Sequence, residues 1–249
     1  MPDATLALYL DGPMQSWGHQ SRFNRRTTLS YPTRSGVTGM LCAAMGIDRA
    51  DKVTLEALAR LRMEIMTLAT PIRPAKAAAG LTGAQKTGQF RHLSRWTDYH
   101  TVGGGYDPKT ERQHMPRKAS GAAPDTVVTD REYLADARFG VLIWGDPALL
   151  TEYERALRDP VWGIWLGRKC CIPASLVCQG VFSSCEEAEQ HLLALSGAKI
   201  VRRISEAPRF DDGNDTLMDI PLCFEFRPDR FRPRRVCDKP ATEQPDARI

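Results

Sequence analysis

The 249-residue chain contains no apolar run near the about 18 residues that a membrane-spanning helix needs, and its opening, MPDATLALYLDG, lacks the basic leader of a secretory signal. A cytoplasmic protein without membrane contact is expected. The seven cysteines (Cys42, Cys170, Cys171, Cys178, Cys185, Cys223 and Cys237) include no C-x-x-C pair. A tetrahedral zinc site wants close thiolate pairs, so no metal is expected, and reduced, packed thiols account for the odd count. Nor is there a G-x-x-x-x-G-K-[ST] phosphate loop, a G-x-S-x-G elbow or an H-E-x-x-H helix. Nucleotide hydrolysis, serine acyl transfer and zinc peptidase chemistry are not indicated, and no cofactor is expected.

Acidic residues are missing in blocks. Residues 12–47, 65–97 and 160–185 contain no Asp or Glu but hold eleven of the 34 Lys and Arg, leaving 23 basic against 30 acidic residues elsewhere. A net charge of only +4 therefore conceals a strongly basic surface, and a polyanion is the partner that such segregation favours. At 42% hydrophobic and 26% charged, the composition is ordinary for one elaborated globular domain.

TLALYL alternates Leu6, Leu8 and Leu10 against Ala7 and Tyr9, the period of a strand. After the Asp11-Gly12-Pro13 turn and a basic segment, Ser35 is placed to cap a helix with the stripe Val37, Met40, Leu41 and Ala44, closed by Gly46. Thr54 to Arg62 carries Leu55, Leu58 and Leu61 at helical spacing, and MEIMTLATPI reads as a second strand. From about Arg73 to Asp130 periodicity fails and Gly and Pro recur, which predicts a functional insertion, a protruding hairpin with flexible parts. RFGVLIWG then predicts a central strand. Asp146 and Pro147 start a helix with Leu149, Leu150, Tyr153 and Leu157 on its stripe; SLVCQGVF is a strand; Ser184 and Glu187 form a capping box for a helix ending near Gly197. IPLCFEF should turn Ile220, Leu222, Phe224 and Phe226 inward, and the Pro-rich tail should be disordered beyond Val236, over residues 237–249. Two strand–helix–strand units around a long insertion suggest an α+β fold of the ferredoxin-like or RNA-recognition-motif (RRM-like) type, which serves many functions.

GPMQSWGHQSRFNRRTTLSYPTRSG combines Trp17, Phe23 and Tyr31 with Arg22, Arg25, Arg26 and Arg34. Guanidinium groups neutralise phosphates and aromatic faces stack on unpaired bases, a mixture that suits a single strand better than a duplex. The alternative is that Trp17 and Phe23 are core and the arginines pair with surface acids. At the predicted helix start, Arg34 and the amides after Ser35 are placed to share one phosphate. A second basic stretch spaces Arg73, Lys76, Lys86, Arg91 and Arg95 through the insertion with Phe90 and Trp96, either an arm that clamps an extended strand or a solvated loop. In WGIWLGRKCCIPAS, Arg168 and Lys169 follow Gly167 in a turn that would bring two cations and backbone amides to a phosphate. One chemistry leaves little trace in a sequence: metal-independent RNA cleavage, in which the 2′-hydroxyl attacks and the protein supplies a base, an acid and cations. His19, His92, His100 and His114 lie in or beside the basic stretches.

In order along residues 5 to 182, GPMQSWG, YPTRSGVTGMLCAAMGIDR, TDYHTVGGG, DREYLADARFGVLIW and WLGRKCCIP resemble the fifth family of CRISPR-associated (Cas) proteins, in the CasD form of type I-E surveillance complexes (Cascade). The resemblance implies a RAMP-superfamily, ferredoxin-like/RRM-like core over residues 1–236, with a thumb β-hairpin inserted at about 75–130. It implies a non-catalytic subunit that caps the 5′ end of the CRISPR RNA (crRNA), holds its repeat-derived handle, contacts the large subunit and the terminal backbone subunit, and meets target DNA only through the complex. On this sequence, Gln15 and Trp17 of GPMQSWG and Thr33, Arg34 and Ser35 of PTRSG would line the handle. Arg168 and Lys169 would grip its phosphates, and the thumb, carrying Lys76, Lys86, Arg91 and Arg95, would insert beside a displaced base; Arg22, Arg25 and Arg26 complete the expected RNA-binding set. Relatives in type I-C complexes instead cleave the repeat RNA with a Tyr, Lys and His set. Tyr31 stands where such a tyrosine lies and, with His100, is the candidate for an endoribonuclease, although no adjacent Lys-His pair accompanies it.

Overall fold

The computed structural model describes residues 4–19, 21, 24–69, 93–103, 107, 109–110, 125–225 and 230–241. At its centre lies strand β1 (Ala4–Asp11), whose Leu6, Leu8 and Leu10 face one apolar layer while Ala7 and Tyr9 face another. Both faces are buried, so the alternation seen in the sequence separates two cores rather than core from solvent. Helices α1 (Arg34–Met45) and α2 (Lys52–Arg60) lead from β1 to the next long strand. They bury Val37, Met40, Leu41, Leu55 and Leu58 on the Leu6/Leu8/Leu10 side. Helix α3 (Pro147–Arg158) adds Leu150, Tyr153 and Leu157 there, and each of these leucines contributes roughly 1.5–3 kcal/mol by leaving water. Helix α4 (Cys185–Ser196) covers the opposite face with Ala188 and Leu192.

The main sheet is antiparallel throughout. Two short pieces, β2 (Met14–Gln15) and β3 (Arg25–Arg26), follow β1, and then come β4 (Arg62–Ala69), β5 (Ser94–Val102), β6 (Val127–Ala135), β7 (Arg138–Gly145) and β8 (Cys178–Phe182). Strands β4, β7, β1 and β8 lie side by side in that order, and β9 (Lys199–Glu206), β11 (Phe231–Pro240) and β10 (Asp215–Pro221) extend the sheet beyond β4. The smaller sheet is built on β6. Strand β5 pairs along one edge of β6, from Ser94 opposite Ala135 to Val102 opposite Val127, while β2 and β3 line the other edge. Only Asp136 and Ala137 separate β6 from β7, which fixes the small sheet against the large one.

Helix boundaries follow local chemistry. Asp146 caps α3 through the Ala148 and Leu149 amides with Pro147 at its first position; Ser184 caps α4 through the Glu187 amide; Gly46 and Gly197 close α1 and α4 with left-handed backbones. Helix α1 departs from expectation: its cap is Thr33, two residues before Ser35, and accepts from the Gly36 amide at 3.1 Å. In β10 and the two residues after it the phase is opposite to the one predicted, with Leu217, Asp219, Pro221 and Cys223 buried instead of Ile220 and Leu222. The inward residue that sets this phase is Asp219, which bonds the Arg234 guanidinium. Strand β11 runs on to Pro240 with Cys237 buried, so order extends past Val236, because Cys237 to Pro240 pair with β9. Residues 242–249 and most of the expected thumb lie outside the described residues. Among the described residues, no helix is long and apolar enough to cross a membrane.

Candidate nucleic-acid interface

The loop after β1 is locked from within. Gln15 is fully buried; its amide donates to the carbonyls of Leu10 at 3.1 Å and Ala137 at 2.7 Å, and its Oε1 accepts from the Trp17 indole at 3.1 Å. Trp17, only 1% exposed, lies against the first turn of α1, where a β-carbon added to Gly36 would meet the indole at 2.8 Å. Glycine at 36 is what allows the helix start to approach the ring so closely. Gln15 is thus a brace beneath the loop and not a lining group, because its polar atoms are consumed by the fold.

The LGRK turn comes to the same place. Gly167 adopts φ +94°, the Cys171 amide donates to the Arg168 carbonyl at 2.8 Å, and the Ser16 amide donates to the Leu166 carbonyl at 3.1 Å. Arg168 reaches from this turn across β6, donating to the carbonyls of Arg26 at 3.0 Å and Glu132 at 3.3 Å, with its guanidinium 4.8 Å from the Tyr133 ring. Trp96 stacks on Tyr133 with centroids 4.8 Å apart. Lys169 is exposed beside it.

Between these segments opens a cleft of about 280 Å³, lined by Ser16, Trp17 and Gly18 of the loop, Thr33, Ser35 and Gly36 of the helix start, Gly167 and Arg168 of the turn, and Phe224 and Phe231. Of the expected site residues, Thr33, Ser35 and Arg168 converge here, whereas Trp17, expected to line the handle, is a core residue that backs the cleft with its ring buried. A neighbouring group consists of Arg25 and Arg95, whose guanidiniums lie 3.1 Å and 3.8 Å from the Glu132 carboxylate, with Arg26 exposed beside them. Arg95 also donates to the Thr28 carbonyl at 3.1 Å. Arg22, Lys76, Lys86 and Arg91 lie outside the described residues.

Arg34 does something other than expected. Its side chain is 2% exposed and ion-paired with Glu206 of β9, and it donates to the carbonyls of Ala59 and Leu61 at the end of α2. Its backbone amide, the first of α1, donates to Asp219 of β10 at 2.8 Å. Arg234 of β11 binds both oxygens of the same Asp219, at 2.7 and 3.0 Å. The negative charge that a helix start attracts is therefore supplied by the protein itself. Burial pushes the Arg34 pKa down, and Glu206 opposes that shift. The cluster clasps β9, β10 and β11 to α1, which fixes Phe224 and Phe231 beside the cleft.

The two candidate cleavage residues stay apart chemically. Tyr31 is buried beneath Arg202, whose guanidinium lies 5.0 Å from the ring and pairs with Asp238. Burial first, then the charge of Asp238, pushes its hydroxyl up to about 12. His100 lies on β5 with Nδ1 3.1 Å from Asp98. No hydrogen bond joins the two among the described residues, and no group of three or more His, Cys, Asp or Glu is arranged there to hold a metal.

Sequence reasoning missed Glu132, Tyr133, Phe224 and Phe231. Glu132 and Tyr133 sit in an alternating strand without a local signal of their partners, and Phe231 lies in a stretch rich in proline and charge that shows no apolar periodicity.

The geometry can be set beside known proteins. A family model described as CRISPR-associated protein (Cas_Cas5) matches residues 5–237. The chain belongs to the Cas5 family. A Cas5 relative, the CRISPR system Cascade subunit CasD of Escherichia coli (strain K12), is 33% identical over 170 residues, 67% of this chain and 66% of that protein. The match thus spans slightly less than two thirds of the relative's length. A chain of a CRISPR RNA-guided surveillance complex superimposes with a TM-score of 0.68 and 28% identity, covering 95% of this chain and 89% of that one. The crystal structure of a Cas protein gives 0.55 and 27%, over 95% and 94% of the two chains. The mixed α and β architecture with an antiparallel main sheet is therefore a Cas5 architecture.

Proposed function

We propose that the chain is a non-catalytic, crRNA-binding subunit of a type I-E-like Cascade, holding the 5′ handle of the crRNA and contacting the large subunit and a backbone subunit. The observation that carries this reading is the cleft, in which the loop after β1, the start of α1, the LGRK turn and the Phe224 and Phe231 rings place aromatic faces, a helix start and the Arg168 guanidinium around one space. Aromatic faces for unpaired bases and cations for phosphates are the equipment of single-strand recognition. In this reading the order β4-β7-β1-β8, with helices joining β1 to β4 and β7 to β8 along the chain, is a ferredoxin-like RAMP core, and β5 with β6 is the base of the thumb. Target DNA is met only through the assembled complex.

The test is co-expression of the chain with its neighbouring subunits, followed by recovery of bound RNA. Repeat-derived RNA in the purified complex supports the reading, and a complex that assembles without RNA overturns it. Binding of single-stranded RNA should fall with salt at about −0.7 in log K per phosphate contacted, so roughly five phosphates predict about −3.5. Incubation with repeat RNA in EDTA should leave it intact; a product ending in 2′,3′-cyclic phosphate would make the chain an endoribonuclease.

A further inference from the structure

Glu132 is an acidic residue in the middle of the basic face. Its side chain is 14% exposed, and the groups around its carboxylate are donors: Arg25 Nη2 at 3.1 Å, Arg95 Nη1 at 3.8 Å and the Thr28 amide at 3.4 Å. Its main-chain carbonyl accepts from Ser16 Oγ at 3.0 Å and from Arg168 at 3.3 Å. The loop after β1, the segment around β3, strand β5 and the LGRK turn thus all meet at one residue. Two guanidiniums and a backbone amide converging on an anion form an arrangement that equally suits a phosphate oxygen.

We propose that Glu132 is a positioning residue that sets RNA specificity: its carboxylate fills an anion site built by Arg25, Arg95 and the Thr28 amide, orienting both guanidiniums and cancelling part of their charge. This inference rests on the RNA-binding reading above. Binding without regard to sequence depends mainly on uncompensated cations, so an internal carboxylate here weakens it. A strand whose shape fits the cleft keeps its stacking contacts and meets side chains already aimed. Arg25 still offers most of its 74% exposed side chain to such a strand.

The experiment uses the full-length chain and two labelled single-stranded RNAs, the CRISPR repeat of the same genome and a scrambled sequence of equal length, titrated over a range of salt. Glu132→Gln should bind the scrambled RNA about 3- to 10-fold more tightly, with a salt slope steeper by about 0.7, while repeat binding changes by less than about 2-fold. Glu132→Asp, which keeps the charge, should restore the original discrimination. A Glu132→Gln protein that melts normally yet keeps the wild-type slope and discrimination, or that weakens both RNAs equally, overturns the proposal. Should that variant fail to fold, Arg25→Lys decides: it keeps the charge but loses the planar guanidinium that Glu132 orients through Nη2, so discrimination should narrow at constant slope, and unchanged discrimination overturns the proposal. Wild-type protein that binds neither RNA in a salt-dependent manner overturns the RNA-binding reading itself; wild-type binding with an unaffected variant removes only the role of Glu132.

Discussion

A β-carbon on Gly167 would lie 1.8 Å from the carbonyl oxygen of Ser16. The LGRK turn and the loop after β1 are pressed backbone to backbone, and the contact is sealed by the Ser16 amide on the Leu166 carbonyl at 3.1 Å. Because Gly167 also holds φ +94°, a side chain there meets both backbone strain and a collision with an atom that cannot yield. Gly167→Ala should therefore cost about 2 kcal/mol or more, read as a lowered midpoint in urea, and should open the cleft. An unchanged midpoint would show that the two segments can separate freely.

Arg34→Met should unfold the protein more readily instead of merely weakening RNA binding. The substitution leaves Glu206 without its nearer cation and the carbonyls of Ala59 and Leu61 without their donor. Removing one member of a buried ion pair costs about 3–5 kcal/mol, and the 32% exposure of Glu206 reduces this to about 2–3 kcal/mol. Denaturation midpoints check the loss, and RNA titration of the remaining folded protein should change by less than about 3-fold. Lost RNA affinity at an unchanged midpoint would return Arg34 to the phosphate site.

The same residue shows how far the chain can be read without coordinates. Strands β1, β4 and β7, the capped helices α3 and α4 and the glycine stops are legible because each rests on local periodicity or on a cap within four residues. Arg34 is not, because its partners Glu206 and Asp219 arrive from β9 and β10, and nothing near position 34 announces them. The inward turn of Asp219 reverses the phase that apolar spacing predicts for IPLCFEF. Glu132 is invisible for the same reason, since its cations come from β3 and β5. Two of the three basic stretches supply residues of the cleft, the first through Ser16 to Gly36 and the third through Gly167 and Arg168, but they do not tell which of their arginines are already paired.

Tyr31 makes stability depend on alkaline pH. In the unfolded chain its hydroxyl ionises near 10, whereas in the fold it is held to about 12 by burial. Below pH 10 the proton is bound in both states and this contribution is fully present; between 10 and 12 the unfolded chain gains by ionising, so stability falls as pH rises. At about 1.4 kcal/mol per unit, Tyr31 accounts for roughly 2–3 kcal/mol of that loss. Tyr153, also pushed up to about 12, acts in the same sense. Tyr31→Phe should flatten the decline in denaturation midpoint over this window, and an identical decline would show that Tyr31 ionises normally. A hydroxyl so reluctant to ionise is a poor general base near neutral pH, which predicts no RNA cleavage that depends on it.

Stacking and phosphate contacts in the cleft can be separated by salt. Phe231 lines the cleft from the start of β11 and carries no charge, so its share of RNA binding involves no displaced counterions. Phe231→Ala should weaken binding by about 1–3 kcal/mol per stacked base, seen as a parallel downward shift of log K against log salt. Arg168→Ala removes a cation from the same cleft and should instead flatten the line by about 0.7 as well as lowering it. The two variants together distinguish a cleft that seats a nucleotide, base on aromatic and phosphate on guanidinium, from a basic surface that merely attracts polyanions. In the second case Phe231→Ala has no effect at any salt concentration, and Arg168→Ala is interchangeable with loss of any other exposed cation, such as Lys169→Ala.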